Sequence, residues 1–311
     1  MLFGRKKKAP PPAATGSGVG LYGKHPGAGD FLRLNASSPE VGLMDEWLSS
    51  GLDRSRRVLA DFDGAYGGLF YAAFLLGFSG EARAGGALIG VMAPSRDEIG
   101  RQFPLVIFTH LSRDLASRGF RASPYEAFIG EASRLLQRRN TLTRDELLRA
   151  VEGLTPPDAQ SQQLAGEQLS TYLLETPWLT AFNTMFGLSA PAQTARAMGL
   201  MQQVNAGIRA GRPLPRYGLR CPLGKDGAGN AGFWLDLLRA GLNQPLQLSL
   251  LWSPSHLVIY PGVCSSKALP ALLDPRWEDE GICDLASWQE DPRSPLPLPP
   301  PDRPLQELLG E

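Results

Sequence analysis

The chain has 311 residues, 43% hydrophobic and 20% charged, the balance of an ordinary globular protein. Lys+Arg and Asp+Glu each total 31, so the formal net charge is zero and nothing in the global balance draws the chain to nucleic acid or to a membrane surface. Cys221, Cys264 and Cys283 form no CxxC pair and leave one cysteine over, which suits a reducing compartment. No apolar run approaches the roughly 18–20 residues that span a bilayer, so a cytoplasmic protein without stable membrane insertion is expected.

In chain order, Arg5-Lys6-Lys7-Lys8 is followed by Ala9-Pro10-Pro11-Pro12 rather than by an apolar segment, so residues 1–18 read as a disordered tail and not as a signal peptide. Gly20 to Phe31 is an apolar run that breaks into a Gly/Pro turn. Ser37-Ser38-Pro39-Glu40 opens an amphipathic helix reaching about Ala60, with Val41, Met44, Leu48 and Leu52 at helical spacing. Leu69–Phe78, Ala87–Ala93 and Phe103–Leu111 read as strands joined by connections short enough for antiparallel neighbours. Ser123-Pro124-Tyr125-Glu126 is a capping-box sequence before a helix through Leu136. Thr143-Arg144-Asp145-Glu146 is another before a helix that Gly153 stops.

Thr155-Pro156-Pro157 marks a seam. Beyond it, helices are expected over Asp158–Leu174, Ala192–Arg209 and Ala231–Ala240. Strands are expected near Tyr217–Cys221, Gln247–Trp252 and Leu257–Tyr260, with a Pro254-Ser255 turn between the last two. The organisation expected is a tail (1–18), an α/β domain (19–155), a smaller mixed α/β subdomain (156–290) and a disordered Pro-rich tail (291–311). The fold class is α+β: a mostly antiparallel sheet covered by helices, without the βαβα rhythm of a parallel doubly wound sheet.

Gly18-Val19-Gly20-Leu21-Tyr22-Gly23 spells GxGxxG, and Gly18 to Lys24 spells GxxxxGK. A dinucleotide or phosphate loop needs a strand before it and a helix starting at its end, so that backbone N–H groups meet the phosphates. Here a Pro/Ala/Gly tail precedes, Lys24-His25-Pro26-Gly27 follows, and His25 stands where a magnesium-binding Ser or Thr belongs. The context therefore weighs against the nucleotide reading.

Three separated signatures carry a resemblance: Gly23-Lys24-x-Pro26-x-x-Gly29-Asp30-Phe31; Trp47-Leu48; and Pro94-Ser95-x-Asp97-x-x-Gly100-Arg101-x-Phe103-Pro104-Leu105. In that order and spacing they resemble the TagF family of accessory proteins of bacterial type VI secretion. The likeness covers about Gly20–Leu111 and extends more weakly, through Phe233-Trp234-Leu235, to about Pro261. The sequence departs from the family pattern at His25, at Tyr71-Ala72-Ala73-Phe74 and at Leu88-Ile89-Gly90. The resemblance implies a longin- or profilin-like first half. It also implies a non-enzymatic, post-translational repressor that binds the system's forkhead-associated scaffold protein.

The residues themselves offer no catalytic constellation. His25, His110 and His256 are the only histidines, His110 near the end of a strand and His256 in a turn. There is no GxSxG and no clustered metal-ligand spacing. Glu278-Asp279-Glu280 lacks the pattern of a calcium loop. No catalytic residue, metal, cofactor, nucleic acid or small-molecule substrate is expected.

Most signature residues have a structural reading. Pro26, Gly27 and Gly29 make a turn with Gly29 at positive φ, Asp30 caps it and Phe31 enters the core. Pro94, Ser95, Asp97 and Gly100 shape the second turn ahead of Phe103 and Pro104, and Arg101 pairs with Asp30 or Asp97. Lys24, His25 and Arg96, polar and on loop tips, are the partner-binding candidates. Trp47, Tyr66 and Trp178 are possible aromatic anchors, with core packing expected for Trp47. Two alternatives are a longin-like adaptor for a small GTPase, and a nucleotide binder or small hydrolase using Lys24 and Asp30.

Overall fold

Strands that read as unbroken apolar runs are strands covered on both faces. In the computed structural model β3 (Ala72–Gly77) and β4 (Ala87–Ala93) are buried throughout, and β5 (Leu105–Leu111) at every position but His110. The structure describes residues 18–78, 86–187, 190–213, 217–240, 247–253, 256–274, 281–287 and 298–309. The expectations for residues 1–17, Pro254-Ser255, Glu278-Asp279-Glu280 and 291–297 lie outside the described residues.

Six further strands are β1 (Gly20–Gly23), β2 (Leu32–Leu34), β6 (Gly218–Pro222), β7 (Leu248–Trp252), β8 (His256–Pro261) and β9 (Ile282–Asp284). Among the described residues these and the first three make one nine-stranded sheet in the order β2-β1-β5-β4-β3-β7-β8-β6-β9. Every pairing is antiparallel except β6 with β9. The sheet passes without a break across residue 155, because β3 pairs with β7 (Ala73 with Trp252, Phe74 with Leu251, Leu75 with Leu250). His110 pairs with Leu88 inside the sheet rather than at an edge.

Period-two alternation sends successive side chains to opposite faces. Leu21, Ile89, Val91, Ile107, Leu250 and Ile259 face one core. Over them lie α3 (Glu126–Gln137), α4 (Arg144–Glu152), α5 (Ala159–Glu175), α6 (Trp178–Phe186), α7 (Ala190–Arg209) and α8 (Gly227–Arg239). Tyr22, Phe74, Leu88, Phe108, Leu251 and Tyr260 face the other core, covered by α1 (Pro39–Val58), α2 (Phe62–Gly68) and α9 (Ala268–Leu273). The α+β class and the mostly antiparallel sheet are as the sequence implies. Among the described residues no helix is long and apolar enough to cross a membrane.

Helix starts follow capping chemistry. Thr143 accepts from the Glu146 N–H, and the Glu146 carboxylate accepts from the Thr143 N–H at 2.8 Å, a complete capping box for α4. Asp158 accepts from the Ser161 N–H at 2.8 Å and starts α5. The box expected at Ser123 does not form. Pro124 already holds a helical φ, so Ser123–Tyr125 winds into a 3-10 turn ahead of α3 and Ser123 lies inside it. The Gly-rich α2, the short α6 and α9, the β1–β2 hairpin and β9 were not expected from the sequence.

The Pro-rich tail expected over 291–311 is corrected for its described part. Leu305 and Leu308 are buried, Leu305–Leu309 forms a 3-10 helix, and residues 298–309 pack on the α5–α6 junction. The leucines among the prolines supply the apolar surface that a solvated tail lacks.

At the centre of the larger core Trp234 is fully buried, its indole N–H donates to the Pro222 carbonyl at 2.9 Å, and its ring lies 5.4 Å from Phe233 and 5.7 Å from Phe182. Trp234→Ala should lower unfolding free energy by about 3–5 kcal/mol through cavity formation, read as a shift of the urea midpoint.

Candidate functional site

The two glycine-rich signatures meet at one corner of the sheet, where the loop leaving β1 packs against the β4–β5 loop. Their glycines serve close approach rather than phosphate binding. A Cβ on Gly20 would sit 2.3 Å from the Phe108 ring. One on Gly23, at φ +132°, would sit 2.0 Å from the Pro104 carbonyl oxygen. No helix follows this loop; the chain turns back into β2. The GxGxxG string is therefore a strand threaded against a bulky neighbour.

The β4–β5 loop is a miniature hairpin. Phe103 N–H donates to the Ser95 carbonyl at 3.1 Å, Asp97 N–H to the Arg101 carbonyl at 3.1 Å, and Gly100 N–H to the Asp97 carbonyl at 3.0 Å. Arg96 and Gln102 form an isolated antiparallel bridge. Asp at the first and Gly at the fourth position is the sequence preference of such a turn, and Gly100 takes φ +89°.

Asp97 holds the corner together. Its side chain is fully buried, and its Oδ2 meets Lys24 Nζ at 2.7 Å and Arg101 Nε at 2.6 Å. Its Oδ1 accepts from the Arg101 N–H at 2.8 Å and the Ile99 N–H at 3.2 Å. Arg101 also donates to the Gly29 carbonyl at 2.8 Å, and Glu98 N–H to the Ala28 carbonyl at 3.2 Å, so the two loops are stitched side by side. Burial acts to raise the Asp97 pKa. The Lys24 hydrogen bond, the Arg101 backbone N–H and the Arg101 guanidinium outweigh it and hold the carboxyl well below its ordinary 3.8. Of the two pairings open to Arg101, the structure makes the one with Asp97; Asp30 instead accepts from the Phe31 N–H at 2.7 Å.

Around this pair stands an aromatic wall. Phe31 lies 5.2 Å from Tyr22 and 4.9 Å from Phe103, and Lys24 Nζ sits 5.4 Å above the Phe31 ring. Tyr66 Oη accepts from the Ser95 N–H and donates to the Ser95 carbonyl, both at 3.0 Å, which pins the base of the hairpin to α2.

Several expectations are corrected here. Lys24 and His25, expected on loop tips, are 7% and 2% exposed. The Lys24 ammonium is drawn in by a carboxylate with no solvent of its own. His25 Nδ1 accepts from the Gly27 N–H at 3.0 Å, closing the turn. Burial lowers its pKa against the opposing pull of the Arg139 and Leu142 carbonyls. Gly29 does not take the positive φ expected of it, and a Cβ there would meet only the end of the Glu98 side chain. Tyr66 and Trp178, considered as partner anchors, are buried, as is Trp47.

Arg96 is exposed, and beside it stand Glu98 and Ile99, the latter 70% exposed. Sequence reasoning passed over Ile99; an isoleucine between a charged residue and a turn glycine was its only signal. Among the described residues there is no group of three or more His, Cys, Asp or Glu placed to hold a metal ion. Cys221 and Cys264 are buried, and burial pushes both thiols up.

Fold and site together define an α+β protein in which paired loops are locked by a buried Lys24–Asp97 ion pair that the exposed Arg101 completes. Residues 20–154 match the family described as TagF N-terminal domain, Type VI secretion system-associated. Over that stretch, somewhat under half of the chain, the sequence is similar to this family. Among solved structures the chain is similar to PA0076 from Pseudomonas aeruginosa PAO1, at 19% identity and TM-score 0.49, over 84% of this chain and 96% of that one. No curated protein matches the chain.

Two measurements test the corner. Asp97 is ionised in the folded state to a lower pH than in the unfolded chain, so its stabilisation is present above pH about 4 and is lost as pH falls through the folded pKa. Asp97→Asn should melt below wild type at pH 7, and the gap should narrow steadily below pH 4 in a pH series of thermal melts. Gly23→Ala should destabilise by about 1–3 kcal/mol, because an L-residue at this φ is strained and its methyl has no room; urea unfolding measures it.

Proposed function

We propose that the chain is a non-enzymatic, cytoplasmic regulator of type VI secretion that represses post-translationally by binding the forkhead-associated scaffold protein, with no nucleic-acid, cofactor or small-molecule partner. The family of residues 20–154 supports the pathway. One observation carries the docking: a loop held by a buried, doubly paired carboxylate presents Arg96 and Ile99 outward.

An exposed isoleucine beside an arginine is the pairing of apolar body and polar head found at the centre of docking surfaces. Here it stands on a turn whose backbone is already fixed, so association orders little that is loose, and preorganisation of this kind favours affinity. Lys24 anchors the hairpin through Asp97, and Asp97 with Arg101 holds its turn.

Binding of the purified scaffold to the full chain tests the reading. Arg96→Glu with Ile99→Asp should weaken it at least tenfold, while the melting temperature holds, since substitutions at exposed sites change stability by about 0.5 kcal/mol or less. Equal binding by both chains would remove this surface and leave the function. A wild-type chain that does not bind the scaffold would overturn the function.

A further inference from the structure

Trp178 ends up serving this chain's own C-terminal segment. Its ring is 2% exposed and is braced edge-on by Phe182 at 6.2 Å, which in turn packs on Phe233 and Trp234 in the core. Its indole N–H points out of that core and donates to two successive carbonyls, Pro299 at 3.1 Å and Pro300 at 2.9 Å. Next to it the backbone offers a second pair of groups. Trp178 N–H donates to the Arg303 carbonyl and the Thr176 carbonyl accepts from the Leu305 N–H, both at 2.9 Å, with Pro177 bridged to Pro304. Leu305 and Leu308 then fill the floor beyond.

The chemistry of this groove matches what it holds. Leu298, Pro299 and Pro300 each precede a proline, so sterics keep all three extended in the polyproline II range. Such a segment has carbonyls and few N–H groups, and it is recognised by donors set on an aromatic surface: an indole N–H is the usual one. Beyond them the Arg303 N–H closes a turn on the Pro300 carbonyl at 3.0 Å, which brings Arg303 to Leu305 alongside Thr176–Trp178. That run of prolines is stiff before it binds, so seating it orders little. Its remaining charged contact, Arg303 with Glu307 at 2.5 Å, is internal to the segment and survives its departure.

We propose that the Trp178 groove is a binding site for extended proline-rich segments, filled in cis by residues 298–309 and open to exchange with such a segment supplied in trans. Tethering gives the resident segment an effective concentration on the order of millimolar. A partner's segment therefore competes only when it is abundant or itself held close. The site is independent of the Arg96–Ile99 surface.

The probe is a fluorescein-labelled peptide carrying residues 298–309, titrated into the full chain. Leu305→Glu with Leu308→Glu unseats the resident segment and leaves Trp178 untouched; that chain should bind the peptide at least tenfold more tightly than wild type. Adding Trp178→Phe, which keeps a ring but removes the donor, should weaken binding by up to about tenfold. A folded, unseated chain that ignores the peptide, or binding indifferent to Trp178→Phe, would overturn the proposal. Hydrogen exchange on the wild-type chain decides the matter even if the double variant does not fold. The amides of Trp178 and Leu305 should exchange together and faster than those of Ile89 and Ile107, through a local opening. Exchange only with the core would make residues 298–309 a fixed part of the fold and sink the idea.

Discussion

A carboxylate with no access to water has to be surrounded by donors, and that requirement at Asp97 organises the signature-bearing corner of this molecule. Its two oxygens take Lys24 from the loop after β1 and the side chain and backbone of Arg101 from its own hairpin. An isolated buried charge is among the least tolerable things in a protein interior, and parting the two loops would cost Asp97 the Lys24 ammonium and leave it only the donors of its own hairpin. The demands spread outward from there. Gly23 must let β1 run hard against Pro104, and Gly100 must close the hairpin at positive φ. Much of a motif that looks like a ligand loop is thereby accounted for as the geometry around one ion pair.

The corner is held in place by a sheet to which both halves of the chain contribute. Phe74 and Leu88 face α1 on one side, and the strand next to β3 is β7, drawn from beyond the Thr155-Pro156-Pro157 seam. Leu269 of α9 packs so closely on α1 that a Cβ at Gly51 would meet it at 2.9 Å. The signatures lie in the first half, yet the helix behind them rests on residues of the second. Sequence signatures thus cluster where turn geometry is demanding, and the packing that supports them is distributed over residues with no special pattern.

That distribution explains what could be read in advance. Strands and helices with an unambiguous period or cap were legible: α1 from Pro39 and its apolar spacing, α4 from the Thr143–Glu146 box, β4 and β5 from unbroken Ile, Val, Leu and Phe. What escaped had its signal masked. Glycines hide β1 and α2, since in both the backbone needs space that the residue type reports only as flexibility. Three-residue strands such as β2 and β9 are too short to show a period, and Pro270 inside α9 reads as a breaker. At the site, residue types offered Arg101–Asp97 as one of two pairings and did not show Lys24–Asp97. They could not say which way each polar side chain turned, because burial is decided by long-range packing. Lys24 and Arg96 look equivalent in sequence; one faces a buried carboxylate and the other faces water.

The same ambiguity runs through the aromatic and proline-rich parts of the chain. Composition marks 298–309 as a tail because prolines and charges dominate, but Leu305 and Leu308 carry enough apolar surface to seat it, and Trp178 supplies the donor its carbonyls lack. A tryptophan set at a helix start is therefore neither plain core nor exposed anchor. Its ring belongs to the core while its N–H is aimed at a segment from elsewhere in the sequence. Structural residues of this protein thus meet its surface at two separate places. At one, a buried ion pair fixes a turn whose tip, Arg96 to Ile99, stands in solvent; at the other, a buried aromatic stack fixes an indole donor beneath a proline-rich strap. In both the rigid part is made by the fold, and what remains variable is only what lies on it.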